Sequence, residues 1–212
     1  MKTQMELFKP NMISTDDVVV NLDIDAYFYL RSLEERIIEL DDAIDSETIA
    51  IPLRSIIQIN KMDQGIPVED RVPIKLLLTS DGGDVIAGLS LIDAIQNSTT
   101  PVYTINMSHQ YSMGALIGLV GHKRFATKSA SYLIHDGGVS IQDSSGRVHD
   151  FIKFELMLQK RLKDIVLGRT EISAKMYNKK AREEWYFFAD EAKKLGVVDS
   201  IIGEDVTLEE IL

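Results

Sequence analysis

Apolar residues in this chain switch between helical and extended spacing, and each switch marks an element. From about Asp25 to Glu35 they recur at helical spacing, and Ile37 and Ile38 then turn extended, which predicts a helix followed by a short strand. Ser46 to Ile59 opens with Ser46, Glu47 and Thr48 and carries Pro52 in its first turns, where proline is tolerated, so a second helix is predicted. Lys61 to Val72, with Gly65 and Pro67, reads as a polar loop. Ile74 to Leu78 is a short continuous apolar run of the kind a buried strand needs. The turn Ser80-Asp81-Gly82-Gly83-Asp84 follows. It leads into VIAGLSLIDAIQNS, a helix whose apolar stripe is Val85, Leu89, Ile92 and Ile95 with Ala87 and Ala94. A strand at Val102 to Asn106 completes a βαβ unit. A second unit runs from there through a helix from Ser112 to about Gly121 and into a strand at Tyr132 to His135. Repeated βαβ units predict an α/β fold with a mostly parallel sheet and helices packed against it.

The ends of the chain read differently. Met1 to Asp17 is polar without a sustained period, and Val18 to Val20 is short and β-branched, so an arm with one added strand is expected. After His135, GGVSIQDSSGRVHD predicts an extended, hairpin-like excursion. Phe151 to Gly168 is then a long helix, with Phe151, Phe154, Leu158, Leu162 and Ile165 near one face and Gly168 as its stop. A basic helix over Ile172 to Arg182 follows, then a short helix over Phe187 to Leu195 ending at Gly196, and a last strand over Val197 to Ile202. The acidic tail from Gly203 is expected to be loose. The division is an arm over 1–24, one domain over 25–202 and a tail over 203–212.

Composition narrows the function. A formal charge of −10 and a sequence pI near 4.9 repel nucleic acid and anionic membrane at long range, and no basic stripe offsets this. Without cysteine there is no disulfide framework, no thiolate nucleophile and no cysteine-ligated metal. MKTQMELFKPNM lacks the apolar run of a signal peptide, and no apolar run approaches membrane-spanning length, so a cytoplasmic protein is expected.

The candidate chemistry lies at element ends, where scaffolds present reactive groups. Ser112 opens a helix. It reads as an N-cap, or as an oxygen held beside free backbone N–H groups that suit a developing negative charge. The surrounding residues do not form a G-x-S-x-G elbow. His135 ends a strand and reads as a structural histidine or as a base. His109, His122 and His149 have no comparable setting and share no metal-ligand spacing with nearby acids. Gly82-Gly83 reads as a strand-to-helix turn, or as a place where a substrate backbone approaches a free N–H. It is neither a phosphate loop nor G-x-G-x-x-G.

Taken together, these pieces resemble one family. Ser80-Asp81-Gly82-Gly83 resembles the S-P-G-G turn of the proteolytic subunit of the Clp protease (the ClpP family), and Tyr111-Ser112-Met113-Gly114-Ala115 resembles its A-S-M-G-A nucleophile turn. Tyr132 to His135 is similar to the strand that ends in that family's catalytic histidine. Ala189-Asp190-Glu191-Ala192 through Gly196-Val197-Val198-Asp199 is similar to its A-x-E-A…G-[LV]-[VI]-D ending, and LEERII to its N-terminal helix-to-strand passage. The resemblance spans about Leu30 to Ile202.

What the resemblance implies is a crotonase-like ββα superhelix with a protruding handle at about 137–168, and a serine-type endopeptidase. Ser112 would be the nucleophile and His135 the general base, with the N–H groups of Gly83 and Met113 as the oxyanion hole. An extended peptide would lie along Gly82, Asp84 and Val85 on one side and Gly137, Gly138 and Val139 on the other. The third triad position falls without a gap on Glu184, where the family has aspartate, with Glu183 as the near alternative. Asp81 stands for the family's proline, and Asp136-Gly137 for Gln-Pro after the histidine. Family members stack two heptameric rings around a closed chamber and work with a hexameric AAA+ unfoldase, a Clp ATPase. That partner would hydrolyse ATP, so no cofactor, nucleotide site or metal is expected here. Arg182 and Glu183 would pair charges across rings. Two other classes stand beside this one: a non-catalytic ring subunit, and an acyl-CoA-processing crotonase enzyme.

Overall fold

The computed structural model describes residues 14–15, 18–19, 31–32 and 34–212, so most of the expected arm and of the helix from Asp25 lies outside the described residues. Ser14–Thr15 (β1) and Val18–Val19 (β2) pair antiparallel. Arg36, at φ 57°, turns the chain out of a helical stretch into Ile37–Leu40 (β3). Ala50–Met62 (α1) begins later than its pattern predicts, because Asp45 takes the Glu47 and Thr48 N–H groups into a local turn at 2.8 and 2.9 Å. Pro52 sits in its first turn, as expected. The loop to Val72 starts only after Met62 and contains a 3-10 turn at Val68–Asp70.

Ile74–Leu78 (β4), Val85–Gln96 (α2) and Val102–Asn106 (β5) form the expected βαβ unit. The buried face of α2 is Ala87, Gly88, Leu91, Ile92 and Ile95. Val85 and Leu89 of the predicted stripe are only partly buried against the core. The second unit is richer than predicted. Its chain runs through His109–Tyr111 (β6), Met113–Leu119 (α3), Lys123–Thr127 (β7) and Ser131–Ile134 (β8). Two strands, β6 and β7, stand where the pattern gave none.

Ser145–Arg169 (α4) starts six residues earlier than expected and passes through Gly168; it stops where Thr170 turns extended at φ −137°. Ala174–Lys180 (α5) is followed by Trp185–Phe188 (β9), a strand where a helix was expected to begin, then Ala189–Lys194 (α6), ended by Gly196 at φ 68°. Ser200–Ile202 (β10) is the last strand. The tail is not loose. Leu208–Ile211 (α7) carries a capping box between Thr207 and Glu210, and Ile211 is buried with Ile105 and Phe125.

The architecture is α/β. One sheet has the order β10-β7-β5-β4-β3 with every pairing parallel, and its buried strands carry the core, including Ile74, Leu76, Leu78, Val102 and Ile105. A second, three-stranded sheet has the order β6-β8-β9. β5 and β6 lie in different sheets and α3 follows them; β7, β8 and α4 repeat the same step. This is a ββα superhelix.

Candidate active site

The smaller sheet builds the site. β6 and β8 are parallel, with Tyr111 opposite Leu133; β8 and β9 are antiparallel, with Leu133 opposite Tyr186 and Ile134 opposite Trp185. The residue after β6 is Ser112, the residue after β8 is His135 and the residue before β9 is Glu184. All three therefore leave adjacent strands at one end of the sheet.

The side chains meet there. Ser112 Oγ lies 2.7 Å from His135 Nε2, and His135 Nδ1 lies 3.1 Å from Glu184 Oε1. An ionised carboxylate only accepts, so Nδ1 carries the ring proton toward Glu184 and Nε2 accepts from the serine hydroxyl. Glu183 turns away, its carboxylate 3.9 Å from Lys180 Nζ. The His135 side chain is 21% exposed and that of Glu184 61%, so the cluster opens to solvent on the glutamate side.

Ser112 is not a capping serine. Its backbone is at φ 51°, ψ −120°, a strained region for a residue with a Cβ, and its side chain caps no N–H of α3. The tight turn is held from below. Ser80 Oγ accepts the Gly82 N–H at 3.1 Å, and a side chain on Gly114 would come within 3.0 Å of Ser80 Cβ. A Cβ on Gly82 would lie 2.7 Å from Ser112 Cβ and 3.1 Å from Met113 N, so the two turns adjoin.

Ile44 joins the glycine turn as a strand: its N–H donates to Gly82 O at 2.8 Å, and its carbonyl accepts from Asp84 N–H at 2.6 Å. Gly83 sits between these bonds, so its own N–H faces away from Ile44, and its φ of 148° needs glycine. Among the described residues, neither the Gly83 nor the Met113 N–H has an acceptor.

The expected substrate-contacting residues divide. Asp84, Val85, Gly137, Gly138 and Val139 line one cavity of about 240 Å³. The Asp84 carboxylate also caps α2, accepting the Ala87 N–H at 2.7 Å. Gly82 stands behind the serine turn with both backbone groups engaged, and offers a substrate nothing. A second cavity of about 320 Å³ reaches from His135 between α4 and α5, with Leu116, Ile134, Leu162 and Val166 among its walls.

Sequence reasoning missed a group beside the cluster. His109, read as having no special setting, lies 3.3 Å from Asp81 and has its ring 4.8 Å from that of Tyr111. Tyr111 in turn meets Tyr186 edge-on at 5.4 Å. The β-spacing of His109 and Tyr111 was a usable signal; the pairing with Tyr186 was not, because it depends on register. His122 is structural, its Nδ1 accepting Val102 N–H at 3.0 Å, and burial lowers its pKa. The other motif residues are also structural. Asp199 pairs with Arg124 of β7, and the same guanidinium reaches the carbonyls of Arg169 and Gly196 at 2.6 and 2.7 Å. Among the described residues no group of His, Asp and Glu could hold a metal ion, and no helix is long and apolar enough to cross a membrane.

The chain is thus an α/β protein with repeated ββα units and a polar cluster at one end of its second sheet. The family model described as Clp protease matches residues 24–205 of the 212, and the chain belongs to the Clp protease family. That family implies association with Clp ATPases and oligomeric rings.

Proposed function

We propose that this chain is a serine-type endopeptidase subunit that hydrolyses unfolded polypeptides inside a ring-shaped chamber. The observation that carries the reading is the series Ser112 Oγ, His135 and Glu184, with separations of 2.7 and 3.1 Å. His135 takes the Ser112 proton as the oxygen attacks a peptide carbonyl, and later gives it to the leaving amine. Glu184 holds the tautomer and stabilises the imidazolium. The carbonyl oxygen, as it becomes negative, is met by the N–H groups of Gly83 and Met113, which among the described residues have no acceptor to give up.

The cleft between Asp84–Val85 and Gly137–Val139 would take the substrate as an added strand, reading backbone more than side chains. Ile152, Phe154, Leu156 and Met157 on α4 are exposed in the single chain, which supports ring-to-ring contact through the handle. Heptameric rings, a hexameric AAA+ unfoldase as partner and cytoplasmic residence belong to the same proposal.

A fluorophosphonate probe tests it. The assembled wild type is expected to label at Ser112, and Ser112→Ala and His135→Ala to lose the label. An assembled wild type that stays unlabelled would instead be a non-catalytic ring subunit.

A further inference from the structure

Two tyrosines beside the cluster have no part in the chemistry above. Tyr111 directly precedes Ser112, and Tyr186 lies two residues after Glu184. They belong to β6 and β9, the strands that flank β8, and each stands in register with Leu133. Their rings lean toward one another across β8 and meet at 5.4 Å and 88°, the edge-to-face arrangement that aromatic quadrupoles favour. The Tyr111 hydroxyl is fixed on β8 as well, 2.8 Å from Ser131 Oγ.

We propose that Tyr111 and Tyr186 form a clamp that positions Ser112 and Glu184 on either side of His135, with His109 and Asp81 extending it to the Gly82-Gly83 turn. The inference builds on the peptidase reading. Each contact ties one site segment to the next: Asp81 precedes the glycine turn, Tyr111 precedes the nucleophile and Tyr186 follows the acid. The rings of His109 and Tyr111 are 4.8 Å apart, and His109 Nε2 is 3.3 Å from Asp81 Oδ1.

Three departures from the family motifs then make one set. Asp81 replaces proline, Tyr111 replaces the alanine before the serine, and Glu184 replaces aspartate. A glutamate has one more rotatable bond than an aspartate, and this one is 61% exposed, so packing restrains it little. A strand held in register by an aromatic contact restricts where its carboxylate can go. The Glu184 carboxylate also contributes, after desolvation, to raising the Tyr186 phenol above its usual pKa, in keeping with the two side chains lying close. The exposed Asp81–His109 pair contributes least, as surface pairs do. Tyr111 and Tyr186 are positioning residues; neither touches a reacting atom.

The test is steady-state hydrolysis of a fluorogenic peptide by assembled wild type, Tyr111→Ala, Tyr186→Ala, the double variant and Tyr186→Phe, with a crystal structure of Tyr186→Ala. Each alanine variant is expected to lower kcat about tenfold with KM changed less than about twofold. The double variant should fall little below the worse single, and Tyr186→Phe should restore the rate. In the crystal, Glu184 should be spread over more than one rotamer, only part of it still within hydrogen-bond distance of His135. The clamp is overturned by an unchanged kcat, by a loss confined to KM, by effects that multiply, or by a phenylalanine as impaired as the alanine. If Tyr186→Ala does not assemble, Tyr186→Leu replaces it, keeping apolar bulk without the ring. If the wild type itself neither labels nor hydrolyses, the peptidase reading fails separately, and the crystal decides the clamp: a Glu184 wholly in its wild-type rotamer at His135 in the ring-less variant would overturn it.

Discussion

At the scale of single residues, the third member of the cluster is what distinguishes this chain. Glu183 and Glu184 are neighbours, yet one reaches back toward Lys180 and the other meets the imidazole. Strand β9 decides this, because antiparallel pairing of Ile134 with Trp185 brings the preceding residue to the end of β8. Glu184→Ala is expected to lower kcat by about 10²–10³-fold, with little effect on KM, while Glu183→Ala stays near wild type. Fluorogenic peptide kinetics on assembled material would check both, and a rate loss in the Glu183 variant alone would reverse the assignment. Ser112 and His135 were legible in the sequence because one opens an apolar helical run and the other ends a short apolar strand. Glu184 was legible only through its ungapped spacing from Ala189 and Gly196. Tyr186 was not legible, since nothing within Trp185 to Phe188 says which strand it will pair with.

At the scale of elements, short strands were what the hydrophobic pattern concealed. β6 has three residues and β9 four, too few to show a period, and β7 begins with Lys123 and Arg124. Long elements with a buried face, such as α2 and β4, stood out clearly. The turn before α2 is more demanding than its sequence suggests. A Cβ at Gly83 would run into the Ile44 backbone, so Gly83→Ala should swing the N–H out of the cleft and slow fluorophosphonate labelling by about 10²-fold, with the fold intact by circular dichroism. The junction of β3, α1 and β5 rests on a buried acid. Asp63, 1% exposed, accepts two bonds of 2.7 Å from Arg36 and one of 2.7 Å from Thr100, and Arg36 foremost holds its pKa below the usual carboxylate value. A carboxyl depressed in the folded state stabilises above its unfolded pKa of about 4, and that stability is lost as pH falls through the folded value. Asp63→Asn should therefore cost about 3–5 kcal/mol at neutral pH and flatten the acid side of the stability profile, read by urea unfolding across pH.

At the scale of the whole molecule, the question is what covers α4. The helix spans 25 residues, but only Val166, near its C-terminal end, is buried. Its N-terminal half carries Ile152, Phe154, Leu156 and Met157 exposed, and Val139 and Ile141 in the segment after His135 are exposed as well. A chain of net charge −10 repels its own copies, so association needs an apolar contact large enough to offset that repulsion. The exposed apolar residues of α4 offer one such contact. The segment after His135 connects assembly to the cluster, because Gly137 to Val139 line the cleft and follow His135 directly. Leu156→Asp, which places a charge in the exposed apolar stretch, should split the proposed ring stack into single rings in analytical ultracentrifugation, and more so at low salt. If the unstacked handle no longer supports the cleft, peptide hydrolysis should fall with the fraction of stacked particle, while melting of the single chain stays unchanged. Stacked rings that persist in the variant would mean that another surface holds them together.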